Sequence, residues 1–158
     1  NETRHFLYRS WSVAGVSPNG KHLAIGLGLG CILETFELGT EIRRTGLKYH
    51  IKPEVTISKN GNRTDINYDN TIRGFGDREL SNNYIYTTYD GKKENKMYNN
   101  IAVFDLTGEP VSITCLGNND IHRLYADEPN GNLYAAIENE SGEIRIIRIK
   151  IDDILPKK

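Results

Sequence analysis

Oxygen-bearing side chains alternate in the segment DINYDNTIRGFG, where Asp65, Asn67 and Asp69 occupy every second position. Alternating carboxylate and amide oxygens are the ligands that a calcium loop supplies. An EF-hand loop also needs Gly at its sixth position and a bidentate Glu at its twelfth, where this segment has Asn70 and Gly76. The pattern excludes an EF-hand and leaves a looser ligand-binding site or a solvated polar edge. We predict no bound metal and no cofactor.

Ionisable side chains recur farther along the chain, on segments in which polar and apolar residues alternate. They could line a pocket at the centre of the molecule, although alternating charges on half-exposed strands are also an ordinary surface feature. Both interpretations stay open on the sequence alone. The candidates for such a pocket are Arg73, Asp77, Arg78, Arg123 and Asp127.

Three glycines at alternate positions follow an apolar run in HLAIGLGLGCILETFEL. A dinucleotide fingerprint needs Gly-x-Gly-x-x-Gly followed by a helix, because the helix amino terminus holds the pyrophosphate. Here the spacing is Gly-x-Gly-x-Gly, and CILETFEL alternates as a strand does. The segment is therefore predicted to be a hairpin in which Gly30, just ahead of the strand, supplies a positive φ.

The histidines and cysteines show no arrangement that is typical of nucleophilic catalysis. The four histidines lie in separate segments and lack the spacing of a zinc site. Cys31 and Cys115 lie far apart in apolar, strand-like segments, where burial disfavours the thiolate. We expect two buried free thiols, with a disulfide as the less favoured alternative.

The charge balance excludes long-range attraction to nucleic acid. The 158 residues include 20 lysines and arginines against 21 acidic residues, for a formal net charge of −1. No apolar run approaches the roughly 20 residues that span a bilayer. The chain starts with neither Met nor a signal-peptide pattern, so we expect that a leader was removed or that the sequence begins inside a longer protein.

Short segments of period-2 alternation, separated by turns rich in Gly, Asn, Pro and Asp, predict an all-β chain. No window of a dozen residues has sustained helical spacing. The pattern is typical of an antiparallel meander. The candidate strands are residues 11–16, 21–27, 31–38, 74–80, 83–89, 99–106, 110–116, 121–127, 132–138 and 143–151.

The meander repeats three times, at the size of a propeller blade. Because one four-stranded antiparallel sheet cannot bury both of its faces alone, each copy must pack on its neighbours around a central axis. We predict one partial propeller domain over residues 1–158, with blades at about 11–49, 74–116 and 121–151 and an inserted loop at 50–73. The predicted core is Leu23, Ile25, Ile32, Phe36, Ile85, Ile101, Val103, Phe104, Leu133, Ala135, Ile144 and Ile146.

Three long segments resemble the carboxy-terminal part of the TolB-like six-bladed β-propeller family. They are GFGDRELSNNYIYTTYDGK, NNIAVFDLTGEPV and DIHRLYADEPNGNLYAAIENESGEIRIIRIKI. The segment VSPNGKHLAIG also resembles the Ser-Pro-Asp-Gly turn of these repeats, with Asn19 in the Asp position. The resemblance covers about residues 11–151. It implies an extracytoplasmic protein, periplasmic or associated with the outer membrane through a lipid anchor on a missing amino-terminal segment, and it implies no reaction.

Three blades are half of the six that the family has, and a half-ring would leave raw sheet edges. We therefore expect either a fragment of a longer protein, completed by its remaining blades, or a ring closed by a second copy. The leading functional expectation is a non-catalytic binding or scaffolding module that presents rim loops, foremost residues 50–73, to a protein or glycan. The alternative is a hydrolase or lyase that uses a metal or an acid–base pair in the central channel, an analogy of fold alone.

Overall fold

The computed structural model describes residues 12–51, 55–57, 64–66, 72–90 and 97–156. It confirms the all-β prediction, with thirteen strands in the described part and two short helical turns, a 3₁₀ turn at Glu128–Asn130 and helix α1 at Ile151–Ile154. None of the described helices is long or apolar enough to cross a membrane. The strands are β1 Ser12–Val16, β2 His22–Leu27, β3 Cys31–Leu38, β4 Ile42–Ile51, β5 Val55–Ile57, β6 Thr64–Ile66, β7 Phe75–Leu80, β8 Tyr84–Tyr89, β9 Asn100–Asp105, β10 Pro110–Cys115, β11 Asp120–Asp127, β12 Asn132–Glu138 and β13 Ile144–Lys150.

The strands form three blade-like antiparallel meanders, which we call blades 1, 2 and 3. Their strand orders are β1-β2-β3-β4, β7-β8-β9-β10 and β11-β12-β13, and β5 and β6 pair as a separate hairpin. The predicted four-stranded antiparallel sheets are present in blades 1 and 2, and the described part of blade 3 has three strands. After β13 the chain turns into α1, whose Ile151 and Ile154 are buried in the core instead of extending a fourth strand.

The first strand of each blade lies innermost. Strand β7 packs against β1 on one side and against β11 on the other, while each of the three forms one edge of its own sheet. The side chains of these inner strands therefore define the inner surface of the stack, as the blade prediction required. The residue ranges of β4, the fourth strand of blade 1, and of the β5–β6 hairpin were not among the candidate strands, and most of the inserted loop lies outside the described residues.

Blade 2 is buried on both faces because the side chains of its strands alternate between two cores. On β8, Ile85 points into the core shared with blade 1, and its neighbour Tyr86 points into the core shared with blade 3. The first core also contains Ala24, Cys31, Leu33, Phe75, Leu80, Ala102 and Phe104. The second also contains Ile101, Val103, Ile121, Leu124, Leu133, Ala135, Ile137, Ile151 and Ile154.

Most of the predicted core is confirmed, and its errors fall on the outer faces of the stack. Ile144 and Ile146 are 67% and 77% exposed, so their prediction as core is wrong. They alternate on β13 with Ile147 and Ile149, which pack against the shared core, so they face away from blade 2. Leu23, Ile25 and Phe36 of blade 1 are only partly buried. The buried members are Ile32, Ile85, Ile101, Val103, Phe104, Leu133 and Ala135.

Turns that follow the inner strands tie neighbouring blades together. The amide N–H of Asn19 donates to Oδ1 of Asn82 across 3.1 Å, linking blade 1 to blade 2. The Ser81 hydroxyl and the Asn83 side-chain amide donate to the two carboxylate oxygens of Glu128, at 2.9 and 3.0 Å, linking blade 2 to blade 3. The three turns occupy equivalent places in the repeat, so these bonds hold the blades in register.

The β2–β3 hairpin is docked on the residues that lead into β7. Gly30 has φ of 66°, which confirms the hairpin prediction. Its N–H donates to the Ile72 carbonyl at 2.8 Å, and the Gly74 N–H donates to the Gly28 carbonyl at 2.9 Å. A Cβ on Gly74 would lie 1.5 Å from the Gly30 carbonyl oxygen, so only glycine permits this approach. The docking fixes the position of Arg73, which lies between these two contacts.

Candidate functional site

A cleft of about 370 Å³ lies where strands β7 and β11 begin, and we call it the inner-strand cleft. It is open to solvent and has both apolar and charged walls. Its lining residues are Val13, Arg73, Gly76, Asp77, Tyr98, Asp120, Ile121, His122 and Arg123.

Both inner strands are irregular at the cleft. The pairing of β7 with β8 shifts register between Phe75 and Arg78, and the pairing of β11 with β12 shifts between Ile121 and Arg123. Such β-bulges re-aim side chains and often lie beside functional sites. Here the two bulges face one cleft from adjacent blades, an arrangement that period-2 alternation alone does not reveal.

The structure brings three of the predicted site residues together and separates the others. Arg73, Asp77 and Arg123 line the inner-strand cleft. Asp127 lies at the far end of β11, where its carboxylate accepts two bonds from the Asn130 side chain at 3.0 and 2.9 Å. Arg78 is buried away from the cleft.

Of the three residues of the calcium-like segment, only Asp65 is among the described residues, and it is not one of those that line this cleft. Asp65 lies in strand β6, opposite Thr56 of β5. Asn67 and Asp69 lie outside the described residues. Whether the segment holds a ligand therefore stays a prediction.

Asp77 joins blade 2 to blade 3. Its Oδ2 accepts the backbone N–H of Leu124 at 2.7 Å, and its Oδ1 accepts a bond from Nη1 of Arg123 at 3.1 Å. The side chain of Asp77 is 14% exposed, whereas that of Arg123 is 78% exposed. The carboxylate is thus fixed by the neighbouring strand, and it orients an arginine that extends into solvent.

A second group of contacts fixes the opposite wall. The backbone N–H of Tyr98 donates to Oδ1 of Asp120 at 2.6 Å, which ties the segment before β9 to the start of β11. The Arg73 guanidinium carbon lies 4.6 Å from the centre of the Tyr98 ring, within the range of a cation–π contact. Gly76 lies close to the same ring.

His122 sits at the edge of the cleft as one member of a surface pair. Its Nε2 is 2.8 Å from Oε2 of Glu138, and both side chains are about two-fifths exposed. Sequence reasoning missed the contributions of Tyr98, Asp120 and His122. The bulge that presents His122 has no local sequence signal, and the other two residues reach the cleft through contacts between distant segments.

Arg78 instead fills the interface between blades 1 and 2. Its Nη1 donates to the carbonyl of Val13, and its guanidinium occupies the space that a Cβ on Gly26 would need. Burial lowers the pKa of Arg78 to about 10, while the nearby charge of Asp77 acts to raise it. Arg78 therefore stays protonated at neutral pH as a buried cation. Among the described carboxylates, only that of Asp77 shifts the pKa of Arg78.

A smaller apolar cavity of about 110 Å³ lies between blades 1 and 2, lined by Cys31, His50, Phe75, Tyr89, Ala102, Phe104, Pro110 and Ile113. Burial raises the pKa of the Cys31 thiol to about 11, against the opposing effect of its hydrogen bond with Tyr89. Cys31 is a buried free thiol, as predicted. Cys115 is also free but exposed, so its predicted burial is wrong; it ends β10, the outermost strand of blade 2.

Comparison with known proteins supplies no family. No protein-family model matches the chain, and no curated protein matches it significantly. Within the described residues, no group of three or more His, Cys, Asp and Glu side chains is placed to hold a metal ion.

Proposed function

We propose that this chain is a binding module of an extracytoplasmic, TolB-like propeller, and that its inner-strand cleft holds a polar group of a glycan or protein. The observation that carries the proposal is the pair of facing bulges, which open a cleft of about 370 Å³ between two rigid inner strands. This volume falls within the roughly 300–1,000 Å³ typical of small-molecule sites.

The hydrogen-bonding capacity of the cleft supports a binding role. The carboxylates of Asp77 and Asp120 each accept a backbone N–H, so their positions are fixed before a ligand arrives. Arg123 extends outward with donors available for a ligand. Preorganised polar groups on strands reduce the entropy that binding would otherwise cost.

The inserted loop is connected to this cleft. The loop predicted to present binding residues covers positions 50–73, and its last residue is Arg73, which lines the cleft. A ligand held in the cleft would therefore also be within reach of the end of the loop.

We also propose that further blades of the same protein complete the ring, with a second copy of this chain as the alternative. Apolar side chains are exposed on the outward face of blade 3, where Tyr125, Ile144 and Ile146 are 61%, 67% and 77% exposed. On blade 1, Val16 is 54% exposed. Apolar side chains exposed at both ends of a stack are typical of surfaces that pack on another blade.

Light scattering at micromolar concentration tests closure by two copies. A ring of two copies is expected to give twice the monomer mass, and the matched substitution of Ile146→Lys should return the mass to that of a monomer, because it places a charge on the apolar face. Ile113→Lys serves as the control, because Ile113 is similarly exposed, at 61%, but lies on the outermost strand of the central blade 2. A monomeric mass for the unaltered chain would exclude closure by a second copy.

A printed array of acidic and neutral glycans tests the binding function with the 158-residue chain. We expect binding to a subset of spots, reduced at least tenfold by Arg123→Ala and unchanged by Arg43→Ala. Arg43 is a matched control because its side chain is 76% exposed and pairs with Glu37 at 2.6 Å, away from the cleft. Equal binding by both variants, or no binding to any spot, would contradict a glycan-binding role for the cleft.

A further inference from the structure

We propose that the inner-strand cleft selects an acidic saccharide, and that the sugar carboxylate is held by the Nε–H and Nη2–H edge of Arg123. The proposal rests on the binding function above and names the class of ligand. The support for this contact is the pattern of hydrogen bonds in the cleft, which shows which donors and acceptors already have partners in the protein.

One edge of the Arg123 guanidinium forms hydrogen bonds with other described residues of the protein, and another edge forms none with them. Both of its hydrogen bonds involve Nη1, which donates to Oδ1 of Asp77 at 3.1 Å and to the His122 carbonyl at 3.4 Å. Within the described part of the chain, no acceptor is bonded to Nε or Nη2. These two N–H groups form a planar fork whose geometry matches the two oxygens of a carboxylate.

Asp77 prepares this fork for a ligand. Its carboxylate is held by the backbone N–H of Leu124, so it restrains Arg123 from the side opposite the open edge. An arginine restrained in this way loses less rotamer entropy when it binds. Asp77 is therefore a positioning residue, whereas Arg123 would touch the ligand.

The carboxylates of the cleft are hydrogen-bonded to the protein, which leaves the arginine donors to meet an anionic group. Asp120 accepts the N–H of Tyr98, and Asp77 accepts two donors, so both acidic groups are engaged with the protein. Arg73 adds a second positive charge above the Tyr98 ring. The lining thus carries two arginines and two carboxylates, and the carboxylates accept hydrogen bonds from the protein while the open fork of Arg123 faces the ligand.

The apolar walls favour a saccharide over a bare anion. Val13 and the Tyr98 ring contribute apolar surface to the cleft, which an inorganic ion could not use. The C–H faces of a sugar ring can pack on such surface while its carboxylate meets the arginine. A volume of about 370 Å³ also exceeds the needs of a single small ion.

Titration of the ¹⁵N-labelled chain, followed by NMR, tests the proposal with matched probes. Glucuronic acid is compared with glucose, and galacturonic acid with galactose, because each pair differs only at C6. We expect the acids to bind roughly ten- to a hundredfold more tightly, the gain of a charge-assisted bidentate contact. The resonances that shift should include Arg123 Nε–H and the amides of Gly76 and Tyr98. Inorganic phosphate is the third probe and should bind more weakly than either acid.

Two variants locate the contact. Arg123→Gln should reduce the affinity for the acids to that for the neutral sugars, while Arg43→Gln should leave it unchanged. The amide spectrum of each variant reports whether the fold is intact. Raising the salt concentration should weaken binding of the acids and leave binding of the neutral sugars unaffected.

The outcomes separate the two proposals. Equal affinity for acids and neutral sugars overturns the carboxylate contact, and phosphate binding as tight as that of the acids shows an anion site without saccharide selectivity, which also overturns it. If the array signal depends on Arg123 but neither acid shifts the cleft resonances, the binding function stands and the acidic-saccharide proposal fails. If neither experiment shows binding, both fail.

Discussion

Gly74→Ala is expected to lower the free energy of unfolding by about 3 kcal/mol, the upper part of the usual range for overpacking. The new Cβ would lie 1.5 Å from the carbonyl oxygen of Gly30 and 2.7 Å from that of Leu27. Both are backbone atoms of the β2–β3 hairpin, so no side-chain rotation can relieve the clash. The hairpin must separate from the segment that leads into β7, and the hydrogen bond from the Gly74 N–H to Gly28 would be lost with it.

Urea unfolding followed by circular dichroism measures this effect, with Gly39→Ala as the matched control. A Cβ on Gly39 would meet only the Glu41 carbonyl oxygen, at 3.7 Å, which is an ordinary contact. Its substitution should change stability by less than about 1 kcal/mol. If both variants had a similar midpoint of urea unfolding, the β2–β3 hairpin would not be held against β7 as described.

Asp77→Ala is expected to lower the free energy of unfolding by about 2 kcal/mol, within the range for a buried donor left without its acceptor. The N–H of Leu124 loses its partner, and Leu124 is 7% exposed. The variant also removes the negative charge that raises the pKa of the buried Arg78. The loss of a neighbouring countercharge makes a buried cation more costly.

Asp77→Asn separates the two contributions. Its amide oxygen can still accept the Leu124 N–H, so this variant should recover the part of the loss that depends on the hydrogen bond, and only the charge effect should remain. The same urea experiment compares both variants with the unaltered chain. If Asn were as destabilising as Ala, the bond to Leu124 would contribute nothing measurable, and the link between blades 2 and 3 would have to lie elsewhere.

The sequence was sufficient for the strands and their grouping because alternation and turn chemistry are local. The hairpin at Gly30 and the seven buried core residues follow from such local signals. The exposure of Ile144 and Ile146 does not, because alternation shows which side chains share a face but not whether another sheet covers that face. The short helix α1 at the end of blade 3 was not predicted, because four residues are too few for a helical period to be visible.

The candidate site was only partly predictable. Arg73, Asp77 and Arg123 stood out as charges on inner strands, and the cleft does contain them. Arg78 carried the same signal, yet a neighbouring register shift turns it into the interface with blade 1, where Gly26 leaves room for it. Tyr98 enters the cleft through a bond to Asp120, twenty-two positions away, and no local pattern encodes such a contact.

The burial of blade 2 on both faces has a consequence for how the chain opens in solution. Blade 1 or blade 3 can separate by breaking one shared core and one set of turn contacts, whereas blade 2 cannot open without disrupting both cores. Partial unfolding should therefore proceed from the ends of the stack inward, with the amides of β8 and β9 exchanging only in the global event. Most of the residues that line the inner-strand cleft belong to blades 2 and 3, and Val13 belongs to blade 1. Occupation of the cleft would therefore suppress the opening of blade 3 and couple ligand binding to the local stability of that blade.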